Sequence, residues 1–492
     1  MHIKNLKRGA SRGLFSSILL CFLLSGCMVG PNYHKTLFSV PSKWGQQSAQ
    51  ISQRSISLAG WWRQLNDPVL NALMDEAISG NNDVAVAKAR VREARASLGQ
   101  VVGSLLPSAS NTISGTRSGS GQSETLNQYR SGFDASWELD FFGGHKRGVE
   151  AARYGLEATV EDMRATMVVL LGDVATNYVQ MRGWQQKLLI VRQIAATQRK
   201  TYELMQAKLT AGDISELDVS NAQAQMANTE ADIAQMEASL EMSMHRLSVL
   251  TGHVPTALKD LLQKNAKHVK IPQPQWPIPA GIPADILLSR PDLRRAERQY
   301  AQATARIGQR EAERYPSLTL TGNISTAATA IDQLWKSSTI GWSFGPGLRF
   351  PFFNGGRIVA SVAMARAQRD QAFITYRSAV LRALEDVENA LVRLTKEHQR
   401  LQKLVIANKA FLHSLHLSQS LFENGNTSFL ELLNTDRSYY SAQMALKDSR
   451  IALATQYIAL MKALGGGWDG VVDVSRPEVV DGVSHSLTKV GQ

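Results

Sequence analysis

Trp137 to Arg147 reads WELDFFGGHKR, and Arg349 to Val359 reads RFPFFNGGRIV. In both stretches an alternating run ends in two phenylalanines, paired glycines follow, and a long segment without helix breakers begins. Period-two alternation marks a strand with two unlike faces, and paired glycines permit backbone angles that other residues resist. The stretch is a joint between strand and helix, and the chain uses it twice.

Proline shows how far the two copies extend, because it is excluded from helix interiors and central strands. Residues 108–254 and 352–476 contain none, whereas Pro272, Pro274, Pro277, Pro279, Pro283 and Pro291 crowd one connector. Around it, NDVAVAKARVREARASLGQ matches PDLRRAERQYAQATARIGQ, AGDISELDV matches NGNTSFLEL, and LTGHV matches LGGGW. Pro107 and Pro316 stand 209 residues apart, Gly143 and Gly355 212, and Gly212 and Gly425 213. Two copies are too few for a solenoid and fit a duplicated unit in a closed assembly.

Each copy reads helix, strand, strand, very long helix, tight turn, helix. The first repeat spans 67–252, with strands at about 108–118 and 128–140 and helices at about 145–211 and 215–251. The second spans 284–467, with strands at about 317–327 and 339–350 and helices at about 357–424 and 428–464. The longest helices would reach roughly 100 Å, more than a compact domain needs. Their apolar positions step by three, four or seven, as in Leu171, Val174, Tyr178, Met181 and Leu188, then Met226, Ile233, Met236, Leu240 and Leu247 on the return helix. That spacing packs helices side by side in a supercoil.

The strands alternate: Tyr129, Phe133, Ala135, Trp137 and Leu139 against Arg130, Asp134, Ser136 and Glu138, and Ile340, Trp342, Phe344 and Leu348 against Ser343 and Arg349. Some ten alternating residues suffice to cross an outer membrane as a tilted strand, and a soluble sheet with one wet face gives the same pattern. Only four strands leave two open edges, which hydrocarbon does not tolerate. Membrane strands would have to close with other chains; twelve strands from three chains leave a passage where eight do not.

The N-terminus specifies export. Lys4, Lys7, Arg8 and Arg12 precede the apolar run GLFSSILLCFLLSG, which is too short for a resident transmembrane helix. Residues 1–26 read as a signal peptide ending at Leu24-Ser25-Gly26-Cys27, an arrangement that resembles the bacterial lipobox, with Cys27 as the acylated residue (N-palmitoyl and S-diacylglycerol). Met28 follows in place of the aspartate associated with inner-membrane retention. Loss of Cys21 with the leader leaves one cysteine and no disulfide framework. The net charge of +12 comes without basic runs interleaved with aromatics, so no nucleic-acid partner is expected.

Taken together, CMVGPNY, WWRQLNDPVLNALMDEAISGNNDVAVAKARV, WELDFFGG, LLSRPDLRRAERQYAQATARIGQREAERYPSLTLTG, GPGLRFPFFNGGR and LMKALGGGW resemble the TolC-like outer-membrane efflux channels, in their lipoprotein (NodT-type) branch. The resemblance covers essentially the whole mature chain. It implies an α+β membrane protein in which a homotrimer shares a 12-stranded β-barrel continued by a 12-helix periplasmic α-barrel. An equatorial collar would come from residues 27–66, the connector 253–283 and the tail 468–492. The implied partners are outer-membrane lipid, a periplasmic membrane-fusion adaptor and an inner-membrane pump of RND type, together expelling drugs or other small toxic compounds. A periplasmic adaptor or coiled-coil scaffold is the alternative, although adaptors normally have one hairpin between β-rich domains, whereas here the hairpin is duplicated and each copy carries a strand pair.

The sequence carries no catalytic motif, no cofactor signature and no metal set; His413 and His416 form a lone i, i+3 pair. The candidate functional residues lie at the joints and the helix tips. At the joints, Pro107, Gly143 and Gly144 correspond to Pro316, Gly355 and Gly356, and Phe141, Phe142, Phe352 and Phe353 either meet the membrane interface or wedge the corner. At the tips, Gly212 and Gly425 are helix-ending caps, and Ser215 with Asp218 and Ser428 with Glu431 have capping-box spacing. By the implied symmetry, Asp218 and Glu431, with Asp213 and Glu216, would form carboxylate rings at a periplasmic aperture, where the adaptor would dock on the turns. Arg437 and Tyr439 would supply part of the latch. The family's usual LLDAxRS is LLNTDRS here, which places Asn434 where an aspartate is common, so that either Asp436 compensates or the constriction is less cation-selective.

Overall fold

The computed structural model describes residues 28–36, 38, 41, 44–45, 58–121, 124–264, 270–276, 278, 288, 290–468 and 472–475. The leader, Cys27 and much of the proline connector lie outside the described residues.

A 3-10 turn at Trp61–Leu65 leads to α1 (Pro68–Gly80) and α2 (Asn82–Gly103), followed by β1 (Ser108–Ser118), β2 (Leu126–Leu139), α3 (Gly144–Ala211) and α4 (Glu216–Leu250). After the short α5 (Lys259–Gln263) the pattern returns as α6 (Pro291–Ala312), β3 (Ser317–Ala328), β4 (Ile340–Arg349), α7 (Arg357–Glu423) and α8 (Phe429–Ala463). The outgoing helices have 68 and 67 residues and both return helices have 35. The duplication thus extends to element length. Asp67 starts α1 by accepting from the amides of Val69 and Leu70 at 2.9 and 3.1 Å, with Pro68 at the first helical position.

Two compact units emerge, and neither is a repeat. One gathers Met1–Phe38, Arg90–Val160 and Arg295–Ser378; the other gathers Ser39–Ala89, Glu161–Arg294 and Ala379–Gln492. Each takes pieces of both copies.

The first unit holds one antiparallel sheet in the order β1-β2-β3-β4. Its register aligns Asn111, Phe133, Ile324 and Trp342 across the four strands. Counting by twos places Ile113, Ala135, Trp137, Leu318, Leu320, Phe344 and Leu348 on that same face. The opposite face carries Ser110, Thr112, Asp134, Glu138, Thr319, Thr321, Asn323, Ser343 and Arg349. Trp342 and Phe344 are 79% and 73% exposed, so the apolar face is uncovered within the chain. On the polar face Asn323 Nδ2 donates to Asp134, which also pairs with Arg130 at 3.5 Å.

The second unit has a helical core. Leu171, Val174, Tyr178 and Met181 of α3 are fully buried with Leu70, Leu73 and Met74 of α1, Leu247 of α4 and Leu460 and Met461 of α8. This is the stripe of α3 that three-four spacing predicts. On α4 the stripe holds at Leu240 and Leu247, which are buried, and is displaced toward the tip, where Met226, Ile233 and Met236 are only half-buried and Ala222, Gln225 and Thr229 face the packing. The reason is polar, since Gln225 Oε1 accepts from Arg437 Nε of α8 at 2.6 Å. No helix among the described residues is long and apolar enough to cross a membrane.

Candidate functional site

At the tips both outgoing helices end in the same way. Gly212 (φ 82°) and Gly425 (φ 74°) donate to the carbonyls of Leu209 and Phe422, and the following residues, Asp213 and Asn426, donate to Lys208 and Leu421. These paired bonds form a Schellman cap, in which a left-handed glycine satisfies the last carbonyls. The return helices then start differently. Ser215 Oγ accepts from the Asp218 amide at 3.3 Å while Asp218 Oδ2 accepts from the Ser215 amide and hydroxyl at 3.3 and 2.7 Å. That is a complete capping box. Ser428 Oγ accepts from the Glu431 amide at 3.3 Å, and the Glu431 carboxylate does not return the bond.

Behind the turns, Met205, Val219, Ala222, Phe429 and Leu433 form a buried cluster flanked by Tyr202, Ile214, Phe422 and Leu432. It joins the ends of α3 and α7 to the starts of α4 and α8. Beside it lies a small cavity of about 50 Å³, lined by Gln198, Thr201, Gln225, Gln419, Leu432 and Asp436 among others. Asp436 turns toward this interior, where Gln198 Nε2 donates to its Oδ2 at 3.1 Å. Burial pushes its carboxyl above the ordinary 3.8, and the Gln198 bond opposes that only in part.

Asp213, Glu216, Glu431 and Asn434 are exposed, and among the described residues no salt bridge engages the first three or Asp218. Arg437 is tied to Gln225, and the Tyr439 hydroxyl accepts from Gln443 Nε2. The tip carboxylates are therefore not gathered within one chain, and Asp436 stands apart from them, committed to the packing between helices. Gln198 and Gln225 escape a sequence reading because they occupy core positions without apolar side chains.

At the joints, Leu139 O accepts from the Phe141 amide and Phe350 O from the Phe352 amide, each at 2.9 Å, so the same tight turn ends both strands. Gly143, Gly355 and Gly356 have φ of 76°, 59° and 83°. The phenylalanines differ in their surroundings. Phe142 stacks on Tyr315, with ring centroids 4.5 Å apart, and wedges the first corner. Phe352 and Phe353 are 90% and 88% exposed at the second. Pro107 and Pro316 each stand one residue before a strand, β1 and β3.

A sheet apolar on one face, polar on the other, open at both edges and running through glycine joints into helices of about 100 Å is the protomer of an outer-membrane channel with a helical extension. The family profile described as outer membrane efflux protein matches residues 73–253 and again 282–466, one match for each repeat. Nodulation protein T of Rhizobium leguminosarum bv. trifolii is 32% identical over 462 residues, 93% of this chain and 98% of that protein. The cation efflux system protein CusC of Escherichia coli O6:H1 is 31% identical over 459 residues, 90% and 96% of the respective chains. The outer-membrane channel OprN superposes with a TM-score of 0.82 at 32% identity, covering 90% of this chain and all of its own. The chain belongs to the outer membrane efflux protein family.

Proposed function

We propose that three copies of this chain, anchored through acylated Cys27, close a 12-stranded barrel and a 12-helix tunnel that form the exit duct of a tripartite efflux pump. The carrying observation is the register: it puts the large apolar strand residues, apart from Leu126 at the start of β2, on one face and leaves β1 and β4 with unpaired edges. Lipid meets the apolar face, water fills the lumen, and neighbouring copies satisfy the edges. A duct needs no catalytic group, so the reading includes no enzyme activity, cofactor or resident metal.

The helix tips are the periplasmic aperture and the docking surface for a membrane-fusion adaptor, itself bound to an RND-type pump. Threefold symmetry gathers Asp213, Glu216 and Glu431 around the axis, with Asp218 held in its capping box. The collar draws on 27–66, 253–283 and 468–492. Cargo is chosen by the pump, since a wide polar lumen discriminates little. An adaptor or scaffold role is disfavoured by the duplicated hairpin, each copy of which carries a strand pair.

Heat-modifiable trimers in outer-membrane fractions, conducting in planar bilayers, are the expected result; soluble monomers refute the channel. For the aperture, Asp218→Ala combined with Glu431→Ala should raise single-channel conductance. Unchanged conductance and ion selectivity would remove these carboxylates from the gate.

A further inference from the structure

Arg147, in the first turn of α3, is 1% exposed, and most of its hydrogen bonds leave its own helix. Nε donates to Val29 O at 3.1 Å, and Nη2 donates to Gly30 O at 3.2 Å and to Asn32 Oδ1 at 2.7 Å; Nη1 meets Glu150 Oε2 at 2.6 Å. Three of its four acceptors thus belong to one irregular segment, residues 28–36. The same segment is seated by close backbone contacts. The Val29 amide donates to Phe142 O at 3.1 Å, and a Cβ on Gly143 would fall 2.6 Å from Met28 Cγ. A Cβ on Gly30 (φ 88°) would fall 2.3 Å from Gly308 Cα, and one on Gly308 would fall 2.8 Å from Arg147 Nε. Tyr33 ends the seat, donating to Glu297 and packing edge-on against Tyr154 and Tyr300.

The duplication supplies an internal control. At the 212-residue spacing that relates Gly143 to Gly355, Arg147 corresponds to Val359, which is 61% exposed. At the 209-residue spacing of the prolines, Gly308 corresponds to Gly99, beside which a Cβ would meet nothing within 4 Å. Gly355 and Gly356 are equally open. The second strand-to-helix joint, where no segment among the described residues crosses, is therefore built without a buried arginine. Burying a guanidinium carries a large desolvation cost, and apolar packing would hold a strap at least as firmly. What directed bonds to three acceptors within residues 29–32 add is register: they fix which residue lies at the joint.

We infer that Arg147 is the positioning residue for the lipid anchor, holding residues 29–32 so that the acyl chains on Cys27 start at the first barrel joint. Consecutive Cα atoms are about 3.8 Å apart, so fixing Met28 fixes the anchor's origin. The inference rests on acylation of Cys27. The second joint, without the clamp, leaves Phe352 and Phe353 free, so the two joints are alike in backbone and different in task.

The test uses the full-length protein in a Gram-negative host, with Arg147→Gln and Asn32→Ala. Palmitate labelling should equal wild type in both variants. In purified trimers, amide exchange of residues 28–33 should rise on the order of tenfold to a hundredfold in Arg147→Gln, the scale of losing charge-assisted hydrogen bonds. The outer-membrane trimer yield should fall in both variants, and Arg147→Gln should add no further fractional loss in an unacylated Cys27→Ala chain exported by a non-lipoprotein leader. Unchanged exchange, a normal yield from Asn32→Ala beside a low one from Arg147→Gln, or equal fractional losses with and without Cys27 would each overturn the clamp and leave an ordinary packing residue. Absence of label from wild type would instead remove the lipoprotein reading, and the anchor with it.

Discussion

Gln198 Nε2 reaches Asp436 Oδ2 at 3.1 Å, joining the outgoing helix of the first hairpin to the return helix of the second. Because burial raises the Asp436 pKa above 3.8, the folded tip binds its proton more tightly than the unfolded chain does. The linked stability is present in full below pH 3.8 and is lost as pH rises through the raised value. Asp436→Asn keeps the shape and an acceptor for Gln198, so the tip helices should exchange more slowly at neutral pH and lose that acid-side dependence. Amide exchange across 197–225 and 415–440 as a function of pH measures it; a wild-type profile in the variant refutes it.

The two tips should differ in their sensitivity to loss of the N-cap. Ser215 and Asp218 satisfy each other reciprocally, whereas Ser428 only accepts from the Glu431 amide. Ser215→Ala should cost about 1 kcal/mol of local stability, and Ser428→Ala less. Limited proteolysis at each turn reads the difference, and equal sensitivity would mean that the second half of the box contributes nothing.

The repeat, the four strands and the long helices were legible because each depends on local regularity: alternation through Trp137 and Leu139, three-four spacing through Leu171 and Tyr178, and glycine where φ is positive. The tip-side half of the α4 stripe was not, because Gln225 and Thr229 are buried by hydrogen bonds rather than by hydrophobicity, whereas Leu240 and Leu247 are buried as their spacing predicts. The inward turn of Asp436 depends on Gln198, 238 residues away, and the Arg147 clamp on Val29, 118 away. Such pairings have no periodic signature. The capping serines could be read from spacing, but that only Asp218 closes its box is a matter of side-chain geometry.

The sheet's faces can be told apart by charge. Trp342 lies on the face shared with Phe133 and Ile324, and Ser343 on the face shared with Asp134 and Asn323. Trp342→Lys should cost about 2–4 kcal/mol if it sits near the membrane midplane and so deplete trimers from the outer membrane. Ser343→Lys should assemble normally and shift conductance toward anions. Equal recovery of both variants would contradict the orientation.

The joints provide the most discriminating comparison, because strain and contact separate there. Gly356 has φ of 83° and nothing within 4 Å of an added Cβ, so Gly356→Ala should cost only the left-handed strain of about 1–2 kcal/mol. Gly143 has nearly the same φ, 76°, but its added Cβ would meet Met28 Cγ at 2.6 Å and Met28 Cα at 3.1 Å. Gly143→Ala therefore adds a displacement of the N-terminal strap to the same strain. Thermal dissociation of purified trimers should fall similarly for both variants at the level of strain. Exchange of the Val29 amide, bonded to Phe142 O in the native chain, should accelerate in Gly143→Ala alone. Acceleration in both variants would show that joint strain spreads to the strap without contact, and acceleration in neither would show that Met28 yields freely.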